Sequence, residues 1–93
     1  MSSVPLKELI EHITKSLVDH PDQVEVNEIS GLQTNVIEIR VAKEDTGKVI
    51  GKSGRTAEAI RTVLFCAAAK LNKRYVLYIF DQKNREDAVD YQK

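Results

Sequence analysis

The residues best suited to chemistry in this chain form a short glycine-rich stretch near its centre. Gly51 and Gly54 stand three positions apart and enclose a lysine and a serine, and a long helical pattern follows at once. Glycine tolerates backbone conformations that other residues avoid, and it lets a second backbone approach closely. The N–H groups and the dipole at the start of a helix favour negative charge. Because Lys52 and Arg55 add two positive charges, this stretch predicts a site that holds phosphate.

A nucleotide-binding P-loop is the first alternative for such a stretch. That motif has the form G-x-x-x-x-G-K-[ST], and Gly51, Lys52 and Ser53 supply its last three positions. The first glycine would then stand at position 46, which is a threonine, and Gly47 is one residue too close. Residues 45–50 also have the pattern of a short helical turn and not of a strand. A plain helix–turn–helix corner, in which glycine serves only the bend, stays open as a second alternative.

The flanking sequence predicts one α+β domain with the element order α-β-β-α-α-β. Apolar residues recur at helical spacing near the start, alternate with polar residues in strand-like segments, and return to helical spacing after the glycines. Residues 43–45 are expected to cap the short helix that leads to the glycines. A domain is expected over 1–81, followed by a frayed or loosely helical polar tail over 82–93. The predicted helices cover 4–18, 46–50 and 55–71, and the predicted strands cover 24–29, 36–42 and 75–80.

The stretch at 49–56 resembles the signature of KH domains, in which a G-x-x-G loop clamps the backbone of about four nucleotides. The element order matches the type II KH topology, which has a three-stranded sheet covered by helices. Over roughly Leu6 to Asp81, the chain resembles the KhpA family of small bacterial single-KH RNA-binding proteins. The RNA-binding residues that this resemblance implies are Lys48, Val49, Ile50, Gly51, Lys52, Ser53, Gly54 and Arg55.

The resemblance also implies a function and a partner. It predicts a single-stranded RNA-binding protein that acts as a post-transcriptional regulator or RNA chaperone, together with a larger KH-containing protein. The bases would lie in a shallow groove beside the strand at 36–42. Val41, Val49 and Ile50 are the candidate floor residues, but each could equally be a plain core residue, and for Ile50 the core is favoured. The alternative function is that of a KH-fold adaptor, which contacts other proteins and binds little RNA.

The net charge of zero conceals a marked segregation of charge along the chain. The first 38 residues contain two basic and seven acidic residues, whereas residues 39–76 contain nine basic and three acidic ones. The basic segment includes the glycine-rich stretch. Charge separated in this way indicates a polyanionic partner at one face of the domain.

Other function classes have little support in the residues. The single Cys66 cannot form an internal disulfide, and His12 and His20 have no neighbouring residues that would complete a zinc site. No nucleophile–base or paired acid/base arrangement can be argued, so we expect no enzyme activity, no metal and no cofactor. The first residues lack the pattern of a signal peptide and no apolar run is long enough to span a membrane, so a cytoplasmic protein is expected.

A second surface is predicted on the outer side of the long helix at 55–71. A surface helix normally keeps this side polar, but here an aromatic residue is surrounded by small ones. We expect this side to form a homodimer or a heterodimer with a related KH protein, unless the tail folds back and covers Phe65 with Val89 and Tyr91. The residues of the expected dimer face are Thr62, Phe65, Cys66 and Ala69. The buried stripe of the same helix is expected to consist of Ala57, Ile60, Val63, Leu64, Ala67 and Leu71.

Overall fold

The computed structural model describes residues 5–81 and 89–90 of the chain. The predicted order of three helices and three strands is confirmed, and single 3₁₀ turns at 21–23, 43–45 and 52–54 join several of them. None of the helices in this described part is both long and apolar enough to cross a membrane. In chain order the elements are α1 (Leu6–Leu17), β1 (Glu25–Ile29), β2 (Thr34–Val41), α2 (Thr46–Ile50), α3 (Arg55–Lys70), β3 (Arg74–Asp81) and β4 (Val89–Asp90).

The strands form one sheet in the order β1-β2-β3-β4. β1 and β2 are antiparallel, with Val26 opposite Ile39, whereas β2 and β3 are parallel, with Ile37 opposite Leu77. Parallel neighbours require a crossover connection, and α2 and α3 with the loop between them supply it. The predicted three-stranded sheet is confirmed, and the two residues of β4 extend it along the free edge of β3.

The core lies between one face of this sheet and the helices. Successive side chains of a strand point to opposite faces, and β2 is buried at every second residue, so that Ile37, Ile39 and Val41 point inward as predicted. From the other side, α1 contributes Ile10 and α3 contributes Leu64 to the same cluster. The helices therefore cover a single face of the sheet, and the glycine-rich stretch lies at a junction between two of them.

The buried stripe of α3 differs from the prediction at its edges. Ala57, Ile60 and Leu64 are buried as expected, but Ala68 completes the stripe, while Val63 and Leu71 are exposed. Sequence spacing fixes which residues share a helix face, but it does not fix the rotation of that face toward a sheet. α3 is rotated so that Ala68 faces the core, which turns Val63 outward.

The prediction of a frayed or loosely helical tail is wrong for Val89 and Asp90. Their backbone pairs with β3, with Asp90 opposite Tyr78 and Val89 opposite Ile79. Tyr91 and the rest of the predicted tail, apart from Asp90 and Val89, lie outside the described residues. The division between a domain at 1–81 and a tail at 82–93 therefore stays a prediction.

Candidate nucleic-acid interface

The glycine loop, by which we mean residues 51–54, begins where α2 ends. Gly51 has a φ of 78° and a ψ of 171°, and its N–H donates to the carbonyl oxygen of Gly47 at 2.8 Å. A Cβ on Gly51 would contact Oγ1 of Thr56 and would lie 2.6 Å from the Cβ of Thr56. Both the positive φ and this close approach exclude a side chain, so the loop can turn away from α2 only at a glycine.

The loop then makes one tight turn into α3. Ser53 has a φ of 57° and Gly54 a φ of 74°, which places both in the left-handed region. The N–H of Gly54 donates to the carbonyl oxygen of Gly51 at 3.1 Å, which closes the turn. α3 begins at the next residue, and the first N–H groups of a helix have no intrahelical partner. This arrangement can accept an anion beside the start of α3.

Two of the predicted cations are free to meet such an anion. Lys52, Ser53 and Arg55 are all exposed. Within the described residues, neither Lys52 nor Arg55 takes part in an ion pair. The electrostatic attraction of the glycine loop therefore comes from one cation inside the turn and one at the first position of α3.

Lys48, the third predicted cation, is already engaged by two carboxylates. Its Nζ lies 3.2 Å from Oδ2 of Asp19 and 3.9 Å from Oδ1 of Asp45. A lysine between two acids carries little net field toward a third anion. Lys48 therefore lies close to the glycine loop in the chain, but its positive charge is balanced by the carboxylates of Asp19 and Asp45.

Asp45 is a fully buried carboxylate beside α2, and sequence reasoning assigned it the wrong contact. It was expected to cap α2 but makes no such bond, and instead accepts backbone N–H groups from Asp19 at 3.2 Å and His20 at 2.9 Å. Burial acts to raise the pKa of this carboxyl, but these two hydrogen bonds and the charges of His20 and Lys48 lower it below the ordinary value. No local pattern could have found this contact, because its donors lie 26 and 25 residues away in the sequence.

For two of the three candidate floor residues of the base groove, the structure supports the alternative that they are plain core residues. Val41 and Val49 are fully buried in the core, and β2 is an interior strand with neighbours on both sides. Their side chains pack in the core between the sheet and the helices, and they cannot contact a ligand in this conformation. Ile50 is only partly buried where it packs against the same core, so it is the one of the three that borders the surface.

The predicted dimer face is exposed on α3. Thr62, Phe65, Cys66 and Ala69 all lie at the surface, and Phe65 keeps 39% of its area accessible. The guanidinium carbon of Arg61 lies 5.2 Å from the centre of the Phe65 ring. Beside this ring, an open groove of about 460 Å³ is lined by Arg61, Phe65, Ala68, Ala69, Lys73, Arg74 and Tyr75.

Sequence reasoning did not single out Leu32, which projects from the loop between β1 and β2 and is fully exposed. This loop is held in place, because the N–H of Gly31 donates to Oδ1 of Asn35 at 3.2 Å. Nearby, the hydroxyl of Tyr75 donates to Oε2 of Glu28 at 2.8 Å. The sequence signal for this leucine, an apolar residue inside a polar loop, is weak, because single exposed leucines are common.

Within the part of the chain that the structure describes, no group of three histidine, cysteine, aspartate or glutamate residues could hold a metal ion. The glycine loop itself offers backbone hydrogen-bond donors and the positive charges of Lys52 and Arg55.

Comparison with known proteins gives a consistent set of relatives. The family model for the KH domain of KhpA/KhpB matches residues 7–79. The RNA-binding protein KhpA of Clostridium acetobutylicum is 58% identical over 74 residues, which cover 80% of this chain and 99% of that protein. Proteins with the same name from Borreliella burgdorferi and Chlamydia pneumoniae are 53% and 46% identical, covering 80% and 84% of this chain and 90% and 100% of their own lengths.

Two solved structures of Era share the fold at low sequence identity. Era of Aquifex aeolicus bound to GDP.AlF4- has a TM-score of 0.55 and 20% identity, over 86% of this chain and 32% of Era. Era in complex with MgGDPNP and nucleotides 1506–1542 of 16S ribosomal RNA has a TM-score of 0.54 and 21% identity, over 85% of this chain and 32% of Era. This chain thus corresponds to about a third of Era, and the similarity concerns the fold.

Proposed function

The chain belongs to the KhpA/KhpB family of KH domains, and on that premise we propose that it binds single-stranded RNA through its glycine loop. The proposed role is that of a post-transcriptional regulator or RNA chaperone, which is a binding function and not a catalytic one. The proposed RNA partner supports a cytoplasmic location for this role. The names of the curated relatives, which are RNA-binding proteins, support the choice of ligand.

The proposal rests on the backbone conformation of the glycine loop. Gly51, Ser53 and Gly54 all adopt positive φ, so the loop turns sharply in front of α3 and presents Lys52 and Ser53 to solvent. A sugar-phosphate backbone can approach a glycine more closely than any residue with a Cβ. The exposed cations at Lys52 and Arg55 then add attraction for phosphate.

The composition supports weak and sequence-tolerant binding. No aromatic residue precedes Phe65 in the chain, so none comes from the segments that form the loop and its flanking turn. Base stacking on aromatic side chains contributes about 1–3 kcal/mol per base in other single-strand binders. Without it, affinity depends chiefly on the phosphates, which are the same in every sequence.

The test replaces the two exposed loop residues by acids. Lys52→Asp with Ser53→Asp puts negative charge where a phosphate should lie, and aspartate is among the residues that tolerate the left-handed conformation of Ser53. We expect a folded protein with RNA affinity reduced by at least about tenfold. Lys7→Asp with Ser30→Asp makes the same charge change at exposed positions elsewhere and should bind nearly as the wild type. Equal binding by both folded variants would favour the adaptor function instead.

We also propose that the exposed face of α3 mediates association with a second KH domain, in a homodimer or with a larger KH-containing protein. The outward rotation of Val63 enlarges the apolar character of this face beyond the predicted residues. Val89, which was expected to help cover Phe65, has its backbone paired with β3, and Phe65 stays accessible. A dimer would bring two weak glycine loops onto one particle and so raise the avidity for RNA.

A further inference from the structure

Asp45 joins two parts of the chain that are distant in sequence. It is the last residue of the 3₁₀ turn at 43–45, and α2 begins at the next residue. Its buried carboxylate accepts the N–H groups of Asp19 and His20, in the segment between α1 and β1. A buried charge is tolerated only with such partners, and hydrogen bonds to a charged acceptor are stronger than those between neutral groups.

α2 depends on such contacts for its position. It has five residues, and a helix of this length does not form on its own in water. Val49, near its end, is fully buried in the core, and Asp45 is bonded at its start. The glycine loop follows directly, so the orientation of α2 determines where the loop presents its N–H groups.

We propose, on the basis of the RNA-binding function given above, that Asp45 is a positioning residue for RNA. Its carboxylate fastens the start of α2 to the backbone of Asp19 and His20, and thereby holds the glycine loop in the conformation that receives phosphate. Lys48 reinforces this connection, since its ammonium group lies between the carboxylates of Asp19 and Asp45. Asp45 touches no RNA in this role and acts through the loop.

The sign of the expected effect separates positioning from simple electrostatics. A carboxylate close to a phosphate site repels RNA, so its removal should strengthen binding if only charge mattered. If Asp45 instead positions the loop, its removal should weaken RNA binding. A loop with several orientations must be ordered when RNA binds, and this loss of entropy lowers the affinity. Asp45→Asn removes the charge and keeps the size, but its amide group can accept only one of the two N–H bonds well.

The first experiment compares Asp45→Asn with Asp22→Asn, which removes the same charge from an exposed position in the neighbouring turn at 21–23. The probe is a fluorescein-labelled, twelve-nucleotide oligouridine, at a temperature where circular dichroism shows both variants folded. We expect the affinity of Asp45→Asn to fall by about tenfold and that of Asp22→Asn to stay the same or rise slightly. Equal affinities for the two variants would overturn the positioning role.

A second measurement uses the wild-type protein and does not depend on the variant folding. Coupling between two sites is reciprocal, so RNA that selects one loop orientation must also strengthen the bonds to Asp45. Saturation with the oligouridine should therefore slow amide hydrogen exchange at Asp19 and His20, which lie outside the proposed RNA site. Unchanged exchange at both amides would overturn the inference.

A double-mutant cycle with Lys52→Met distinguishes action through the loop from a general loss of structure. If Asp45 acts through the loop, the two substitutions together should weaken binding less than the sum of their separate effects. Additive losses would contradict the positioning role. The RNA-binding function itself fails only if the variant with acids at Lys52 and Ser53 binds like the wild type, so the two failures can be told apart.

Discussion

The backbone of Gly51 lies against the side chain of Thr56, and this contact sets the shape of the glycine loop. A methyl group on Gly51 would lie 2.6 Å from the Cβ of Thr56 and 2.8 Å from its backbone nitrogen. Thr56 is in the first turn of α3, so Gly51 brings the end of α2 directly against the start of the next helix. Gly47, one turn earlier in α2, has open space in the direction of its missing side chain.

These two glycines provide a matched pair of substitutions. Gly51→Ala introduces both a clash and an unfavourable φ, and should lower the free energy of unfolding by about 1–3 kcal/mol and weaken RNA binding. Gly47→Ala removes a flexible residue from an exposed position within a helix, and should raise the free energy of unfolding by up to about 1 kcal/mol. Urea unfolding followed by circular dichroism, with RNA binding by fluorescence anisotropy, measures both effects. Equal stability of the two variants would show that the contact with Thr56 is easily relieved.

The second prediction concerns the salt dependence of RNA binding. With two phosphates neutralised by Lys52 and Arg55, the logarithm of the affinity for single-stranded RNA should fall with the logarithm of salt concentration with a slope of about −1.4. Lys52→Met should make this slope shallower by about 0.7, because one phosphate contact is lost. Lys48→Met should leave the slope unchanged, since Lys48 is paired with Asp19 and Asp45.

Anisotropy titrations of the labelled oligouridine over a range of potassium chloride concentrations measure these slopes. A flat response in the wild type would indicate that phosphates are not the main contact. A slope for Lys48→Met that is shallower than that of the wild type would mean that RNA displaces the two carboxylates from Lys48.

The local elements were predictable because their signals are local. The bounds of α2 and the position of the glycine loop follow from glycines, charges and apolar spacing that lie within a few residues of one another. The contact of Asp45 with Asp19 and His20 depends on the packing of α1 against α2, which no short pattern encodes. The burial of Val41 and Val49 likewise depends on the packing of the helices against one face of the sheet.

The exposed face of α3 shows the same limit in a different way. Helical spacing correctly put Phe65 and Ala69 outside, but it wrongly put Val63 in the core, where the structure has Ala68. That choice depends on the rotation of the whole helix, and the larger residue lies outside. A rule that assigns larger apolar residues to the core therefore fails at this edge.

The third prediction concerns Tyr75, whose hydroxyl donates to Glu28 across the sheet. Tyr75→Phe removes this bond and should lower the free energy of unfolding by about 1 kcal/mol at neutral pH. Tyr78→Phe, on the opposite face of the same strand, is the control and should change stability less.

The pH dependence of this effect follows from the pKa of Tyr75. Burial, followed by the hydrogen bond and negative charge of Glu28, raises the pKa of Tyr75 to about 12. The folded state thus holds the phenolic proton more tightly than the unfolded state does. The contribution of Tyr75 to the free energy of unfolding is complete below the ordinary tyrosine pKa of about 10. It is lost as the pH rises through the pKa that Tyr75 has in the folded state. The stability difference between wild type and Tyr75→Phe should therefore shrink above pH 10, and a constant difference would contradict the assignment.

The last prediction concerns self-association through α3. At about 100° per residue, Phe65 and Val63 lie on opposite flanks of the outer side of this helix. Small residues occupy the surface between them, including Thr62, Cys66 and Ala69. A second helix can approach such a surface closely while the two larger side chains pack along its sides. A symmetric pair buries the same face on both partners, which doubles the effect of each substitution.

Phe65→Glu should therefore give a folded monomer that binds RNA more weakly than the wild type. Leu17→Glu is the matched control, because Leu17 is also 39% exposed but lies on α1. Both variants place a charge at an equally exposed apolar position, so any general effect on solubility should be common to them. Sedimentation velocity over a series of protein concentrations should show a concentration-dependent dimer for the wild type and for Leu17→Glu, and a monomer for Phe65→Glu. A wild type that stays monomeric at the highest concentration would exclude a homodimer, and the face would then be tested against a larger KH-containing protein with the same two variants.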